Sequence, residues 1–147
     1  MLKYDNVPEL FIKRIKERMQ QKDISLLQIV KQSTLDKDTV YSYLKGYRKI
    51  SYVNACVLYS VVIDGTVFAQ KTLSKYKERV LLSFYINFDK AFGDMTYLQA
   101  ERFLNVSHST IYCYRMRKKK PTLAMAVKVA KVMNFSLEFD YLDFIKE

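Results

Sequence analysis

One stretch carries most of the residues that could do chemistry: Ser107-His108-Ser109-Thr110-Ile111-Tyr112-Cys113-Tyr114-Arg115, followed by Arg117-Lys118-Lys119-Lys120. Hydroxyls, a thiol, an imidazole and a phenol stand beside cations that repel one another unless a polyanion lies alongside. His108 is the only histidine, so it can form neither a multi-histidine metal site nor a histidine acid–base pair. Cys56 and Cys113 each fall inside an expected helix, which supports neither a disulfide framework nor a zinc knuckle. Gly46, Gly65 and Gly93 stand at expected helix ends, which leaves no glycine-rich phosphate loop. Nothing here points to an enzyme or to a cofactor. The stretch is suited instead to touching base edges and phosphates.

The elements around it must hold those side chains outward. Thr96 with Gln99 forms a capping box that opens a helix at about Tyr97. Leu98, Ala100, Phe103 and Leu104 then recur at near-helical spacing until Asn105, a residue that tolerates the left-handed bend. Val106 is a buried plug, Ser107 a second N-cap, and Ile111 with Tyr114 the inner face of a second helix. His108, Ser109, Thr110, Tyr112 and Cys113 form its outer face, and none of them is acidic.

Residues 96 to 133 resemble the lambda Cro and repressor type of helix-turn-helix domain. The matching features are Asn105-Val106-Ser107, Ser107-His108-Ser109-Thr110-Ile111, the basic loop Lys118-Lys119-Lys120-Pro121, and an amphipathic helix from Thr122 to Met133. Two positions depart from that pattern: Glu101 stands where the family packs a small alanine, and Arg117 where a glycine ends the recognition helix. The resemblance implies a repressor of phage or mobile-element type that binds double-stranded DNA. Its contacts would come from Tyr97, Ser107, His108, Ser109, Thr110, Tyr112, Cys113 and Arg117 through Lys120.

The preceding half reads the same way. Asn6-Val7-Pro8-Glu9 starts an amphipathic helix to about Lys22, with proline where its missing N–H costs little. Ser25 with Gln28 repeats the capping box, and Leu27, Ile29 and Val30 supply a core face. Asp36 caps a third helix with Val40 and Tyr43 inward, Gly46 closes it, and Ser51 caps a fourth to about Val62. Sliding the chain by 71 positions lays these caps and core residues on the second half without a gap. Two copies of one fold are therefore expected, at 1–70 and 71–147. In the first copy Lys37, Thr39, Tyr41, Ser42, Lys45, Arg48 and Lys49 occupy the DNA-facing positions. It is the weaker reader, because Asp36 and Asp38 place negative charge near the phosphates; Thr34 also sits at the bend, where β-branching is costly, so that turn is expected to be built differently from the one at Asn105.

Between the copies, Leu73 to Phe92 reads as one long helix with two apolar stripes: Leu73, Tyr76, Val80 and Phe84 form one, and Leu81, Tyr85, Phe88 and Phe92 the other. A helix buried on one side needs a single stripe, so this one is expected to pack on both halves or on a partner chain. The tail from Phe135 to Ile145 reads as a short helix capped by Ser136, closing the second core or joining two copies of the chain. The expected fold is all-α, with two tandem helix-turn-helix domains of about five helices each, joined by the long shared helix.

A formal charge of +10 over 147 residues favours a polyanionic partner, and 50% hydrophobic content supplies a packed core. Between 71 and 133 the balance is 13 basic to 4 acidic residues, so the charge gathers around the second motif. No stretch reaches the roughly 20 apolar residues of a membrane span, and the N-terminus lacks a signal-peptide core, so a cytoplasmic protein is expected. The expected function is a sequence-specific DNA-binding transcriptional regulator, with a homodimer as a candidate assembly. The rival is a protein-binding inhibitor or antitoxin-like adaptor that turns the basic surface toward an acidic protein partner.

Overall fold

Most helices begin where a short polar side chain can accept a backbone N–H. In a computed structural model, which describes residues 4–145, Ser25 takes the N–H of Gln28, Asp36 that of Thr39 and Ser51 that of Asn54. Thr96, Ser107 and Thr122 do the same for Gln99, Thr110 and Met125. The first three caps and the second three stand 71 residues apart, one to one. Only Thr96 completes the reciprocal box, with the Gln99 side chain accepting its N–H at 2.9 Å.

The described residues form eight α-helices and no strand: α1 Val7–Lys22, α2 Leu26–Ser33, α3 Lys37–Lys45, α4 Tyr52–Val62, α5 Gln70–Phe92, α6 Tyr97–Leu104, α7 His108–Arg115 and α8 Leu123–Met133. The all-α expectation holds. The pairs α2–α3 and α6–α7 are each joined by a three-residue turn, at 34–36 and 105–107. No helix is long and apolar enough to cross a membrane among the described residues.

α4 is apolar on nearly every side and is the centre of the molecule, packed on α1, α2, α5 and α8. α8 stands in the matching place, packed on α1, α4, α5 and α6. The long helix α5 meets the expectation of its two stripes, touching α4 on one side and α7 and α8 on the other. Buried side chains from Val7 to Phe144 consequently form one continuous core.

Where α4 and α8 begin, the backbones meet in an antiparallel bridge between Ser51 and Thr122. Tyr52 N–H donates to Pro121 C=O at 3.1 Å, and Leu123 N–H donates to Ile50 C=O at 3.0 Å. These two bonds are equivalents of each other under the 71-residue shift. An antiparallel pair bonded in this way has a local twofold axis through its centre.

Three expectations are corrected. The tail is no helix: Ser136 caps nothing, and the segment runs irregularly to a single 3₁₀ turn at Leu142–Phe144. Its large side chains serve the first half rather than only the second, because Phe139 lies 4.9 Å from the Tyr59 ring and 5.4 Å from Phe11, with Phe144 also 5.4 Å from Phe11. Glu138 fastens it, taking a two-pronged contact from Arg79 and donating its backbone N–H to the Tyr52 hydroxyl. Second, Leu27, Leu98 and Phe103 are exposed and not core, because the turn after each eight-residue helix leaves only a narrow stripe, Ile29 in α2 and Ala100 with Leu104 in α6, to face inward. Third, the turn at Thr34 is built like the one at Asn105: both residues are left-handed, with φ of 56° and 53°. The Ser33 hydroxyl helps to hold it by accepting the Leu35 N–H at 3.1 Å.

Candidate nucleic-acid interface

α7 is held from behind and left open in front. Ile111 and Tyr114 are fully buried, Tyr114 standing edge-on to Phe84 at 5.7 Å and to Phe88 at 5.6 Å. Burial raises the Tyr114 phenol far above its ordinary pKa, so it stays neutral. Ser107, His108, Ser109 and Tyr112 are exposed, while Thr110 and Cys113 are half-buried. The Ser107 hydroxyl is engaged in the cap and lies 3.0 Å from the Thr110 hydroxyl. His108 stacks on Tyr97 at 4.7 Å, and Tyr97 leans on Phe92 at 5.4 Å, so a chain of three rings runs from α5 to the start of α7.

The helix closes without a glycine. Arg117 takes φ of 58°, its N–H donates to Tyr114 C=O, and the Lys118 N–H reaches back to Cys113 C=O at 2.8 Å. These are the two bonds of a Schellman close. Gly46 ends α3 with the same pair, its own N–H to Tyr43 C=O and that of Tyr47 to Ser42 C=O.

Beyond the close, the cations divide into two sets. Asp89 of α5 lies 3.2 Å from Arg115 Nε and 3.9 Å from Arg117 Nη2, and the Arg115 guanidinium covers the Phe92 ring at 4.1 Å. The Tyr85 hydroxyl donates to Lys119 C=O at 2.7 Å, which fixes the loop backbone. Lys118 extends over Tyr112 at 5.4 Å. Lys118, Lys119 and Lys120 are exposed, with no carboxylate of the described residues within ion-pair distance. Lys77 has its pKa lowered, first by burial and then by the charge of Lys120.

In the first half, Lys37, Tyr41, Lys45, Arg48 and Lys49 are exposed, and Thr39 and Ser42 are half-buried. Arg48 donates to the Thr39 hydroxyl at 3.2 Å, and Thr39 bonds the capping Asp36. The Asp36 charge is thus spent on the helix start, while Asp38 stays exposed in the first turn of α3. Tyr41 carries Lys45 at 5.7 Å and meets Tyr47 at 6.3 Å.

Three contributors escaped the sequence reading. Tyr47, 75% exposed, is a large side chain in the first basic loop. Its signal was its register, since it stands opposite Lys118. Lys128 donates to Asn105 C=O at 3.0 Å and steadies the α6–α7 turn. Asp89 clamps two arginines, and no local pattern marks it, because its partners lie a whole turn motif away in sequence. Behind α3 there is also a cleft of about 1020 Å³ between α1 and the first basic loop, bordered by Ile12, Lys13, Lys16, Tyr43 and Arg48. Comparison of the chain with family models, with curated proteins and with solved structures finds no match.

Proposed function

We propose that this protein is a sequence-specific double-stranded DNA-binding regulator of transcription, acting as a repressor. One observation carries the reading: an outer helix face without acids runs directly into three exposed lysines that pair with no carboxylate among the described residues, while the inner face of the same helix is anchored in the core. Lys118, Lys119 and Lys120 supply phosphate contacts, which set affinity and register. Ser109, Tyr112 and the exposed edge of His108 are placed for base edges in a major groove. Tyr97 and Arg117 act from behind, one buttressing His108 and the other holding the loop to Asp89.

Electrophoretic mobility shift on random duplex fragments tests this directly. Binding that weakens with salt, with a slope that falls by roughly 3 when all three lysines become alanine, is expected at about 0.9 per lost contact. An unchanged slope would remove these lysines from the interface. A second reading has its own support: Leu27 and Leu98, 64% and 55% exposed at equivalent positions, and Phe103 at 55% would suit a protein partner. Capture of an acidic protein by nuclease-treated protein, together with no duplex shift, would favour that adaptor role.

A further inference from the structure

We infer that a single chain is a complete internal dimer, built to read an imperfect inverted repeat as a monomer. The inference rests on the DNA-binding reading and adds the symmetry and stoichiometry of the target. Three observations carry it. First, the bonds Tyr52 N–H to Pro121 C=O and Leu123 N–H to Ile50 C=O exchange places under the 71-residue shift, as two subunits exchange across a twofold axis. Second, the helix contacts obey the same exchange: α1 packs on α8 as α5 packs on α4, and α4 and α8 pack on each other. Contacts of this kind are isologous, whereas copies related by translation along the chain would meet through different surfaces. Third, the basic loops 45–49 and 117–120 run straight into Ile50 and Pro121, so each loop ends at the axis with its outer helix, α3 or α7, beyond it.

Duplex DNA has its own twofold axes across the base pairs, and a twofold protein on such an axis meets two arms of opposite sense. The arms bound here are related but unequal. Tyr41 and Tyr112 are the same residue at the same place, while Lys37 answers to His108 and Asp38 to Ser109. The positions read by the tyrosines should therefore agree between arms, and those read by the first turn of each helix should differ. Internal closure also uses up the surface that a second chain would need. The α4–α8 contact is filled within the chain, and Phe139 and Phe144, only 6% and 4% exposed, are buried on its own α1.

The test takes the full-length protein and a random duplex pool, selects bound sequences, and measures the mass of the complex on the best of them by sedimentation. The expected result is an imperfect inverted repeat with arms about one helical turn apart centre to centre, bound by one 17.4 kDa chain. Altering either arm in the DNA, which needs no protein variant, should weaken binding roughly ten-fold or more per base pair while stoichiometry stays at one chain. Two chains per duplex, a direct repeat, or a site whose second arm can be scrambled without loss would overturn the internal dimer and leave DNA binding standing. No enrichment of any duplex would overturn both.

Discussion

The two halves hold equivalent helices but attach the outer helix differently. In the second half, Phe84 and Phe88 of α5 grip Tyr114, Tyr85 bonds the loop backbone, and Asp89 holds Arg115 and Arg117. The residues of α1 at the positions of Phe84, Phe88, Tyr85 and Asp89 are Lys13, Glu17, Arg14 and Arg18. None of these can repeat those contacts, and the space opens as the cleft behind α3. Tyr43, the equivalent of Tyr114, turns its hydroxyl to α4 instead and accepts from Asn54 at 2.8 Å. The same order of helices thus tolerates two ways of backing its outer helix, one aromatic and dry, one charged and open. The half with more cations on its outer loop has the firmer backing.

The largest effect expected from that difference is in stability. Phe84 touches Tyr52, Tyr85, Phe88, Tyr114 and Phe135, so it joins both halves as well as anchoring α7. Phe84→Ala should cost about 3 to 5 kcal/mol in urea denaturation, the usual range for emptying a buried phenylalanine site. Lys13→Ala, at the equivalent place and exposed, should stay within about 0.5 kcal/mol. Similar losses from the two would mean that the halves are backed alike.

A smaller contrast concerns motion. Amide exchange should be slower in α7 than in α3, since opening α7 exposes an aromatic cluster and α3 rests beside a cleft. Filling that cleft with Lys13→Phe is expected to slow exchange in α3 and leave α7 unchanged. Equal protection in the two native helices would show that the cleft does not loosen α3.

How much of this was legible follows from the range over which each feature is determined. Caps and helix limits were readable because a hydroxyl or carboxylate bonds an N–H three residues away, and Ser51, Thr96 and Ser107 each do so. The outer faces of α3 and α7 were readable for the same reason, since their spacing alone separates Tyr41 from Tyr43 and Tyr112 from Tyr114. The tail was misread because its conformation is set by Phe11, Tyr52 and Tyr59 across the molecule, not by Ser136. Leu27, Leu98 and Phe103 misled because an apolar residue in a two-turn helix fits a helical period almost wherever it stands. The twofold exchange at Ser51 and Thr122 had no local signature. The 71-residue register aligned the caps and core residues of the two halves but did not reveal the operation that relates them.

The smallest expected effect compares the two turns themselves. Thr34 and Asn105 both end their helices left-handed, and each donates its N–H to the carbonyl four residues before it, Val30 or Glu101. Their φ values agree, so the cost of holding the bend should differ mainly through the side chain. Asparagine visits this conformation readily, whereas a β-branched threonine crowds its own carbonyl there. The Thr34 hydroxyl is also buried with no hydrogen-bond partner among the described residues, a second cost that Asn105, which is exposed, does not carry. Thr34→Asn should then stabilise the protein by about 1 kcal/mol, and Asn105→Thr should destabilise it by a similar amount. The backbone contact from Lys128 to Asn105 C=O involves no side-chain atom of residue 105, so it survives the exchange and does not blur the comparison. Thermal or urea denaturation of the two single variants and of the double variant decides the matter. Opposite signs that cancel in the double variant would establish that the turns differ only in how well their residues bear the bend. A loss from both substitutions would mean that Thr34 is held by packing in its half that asparagine cannot reproduce.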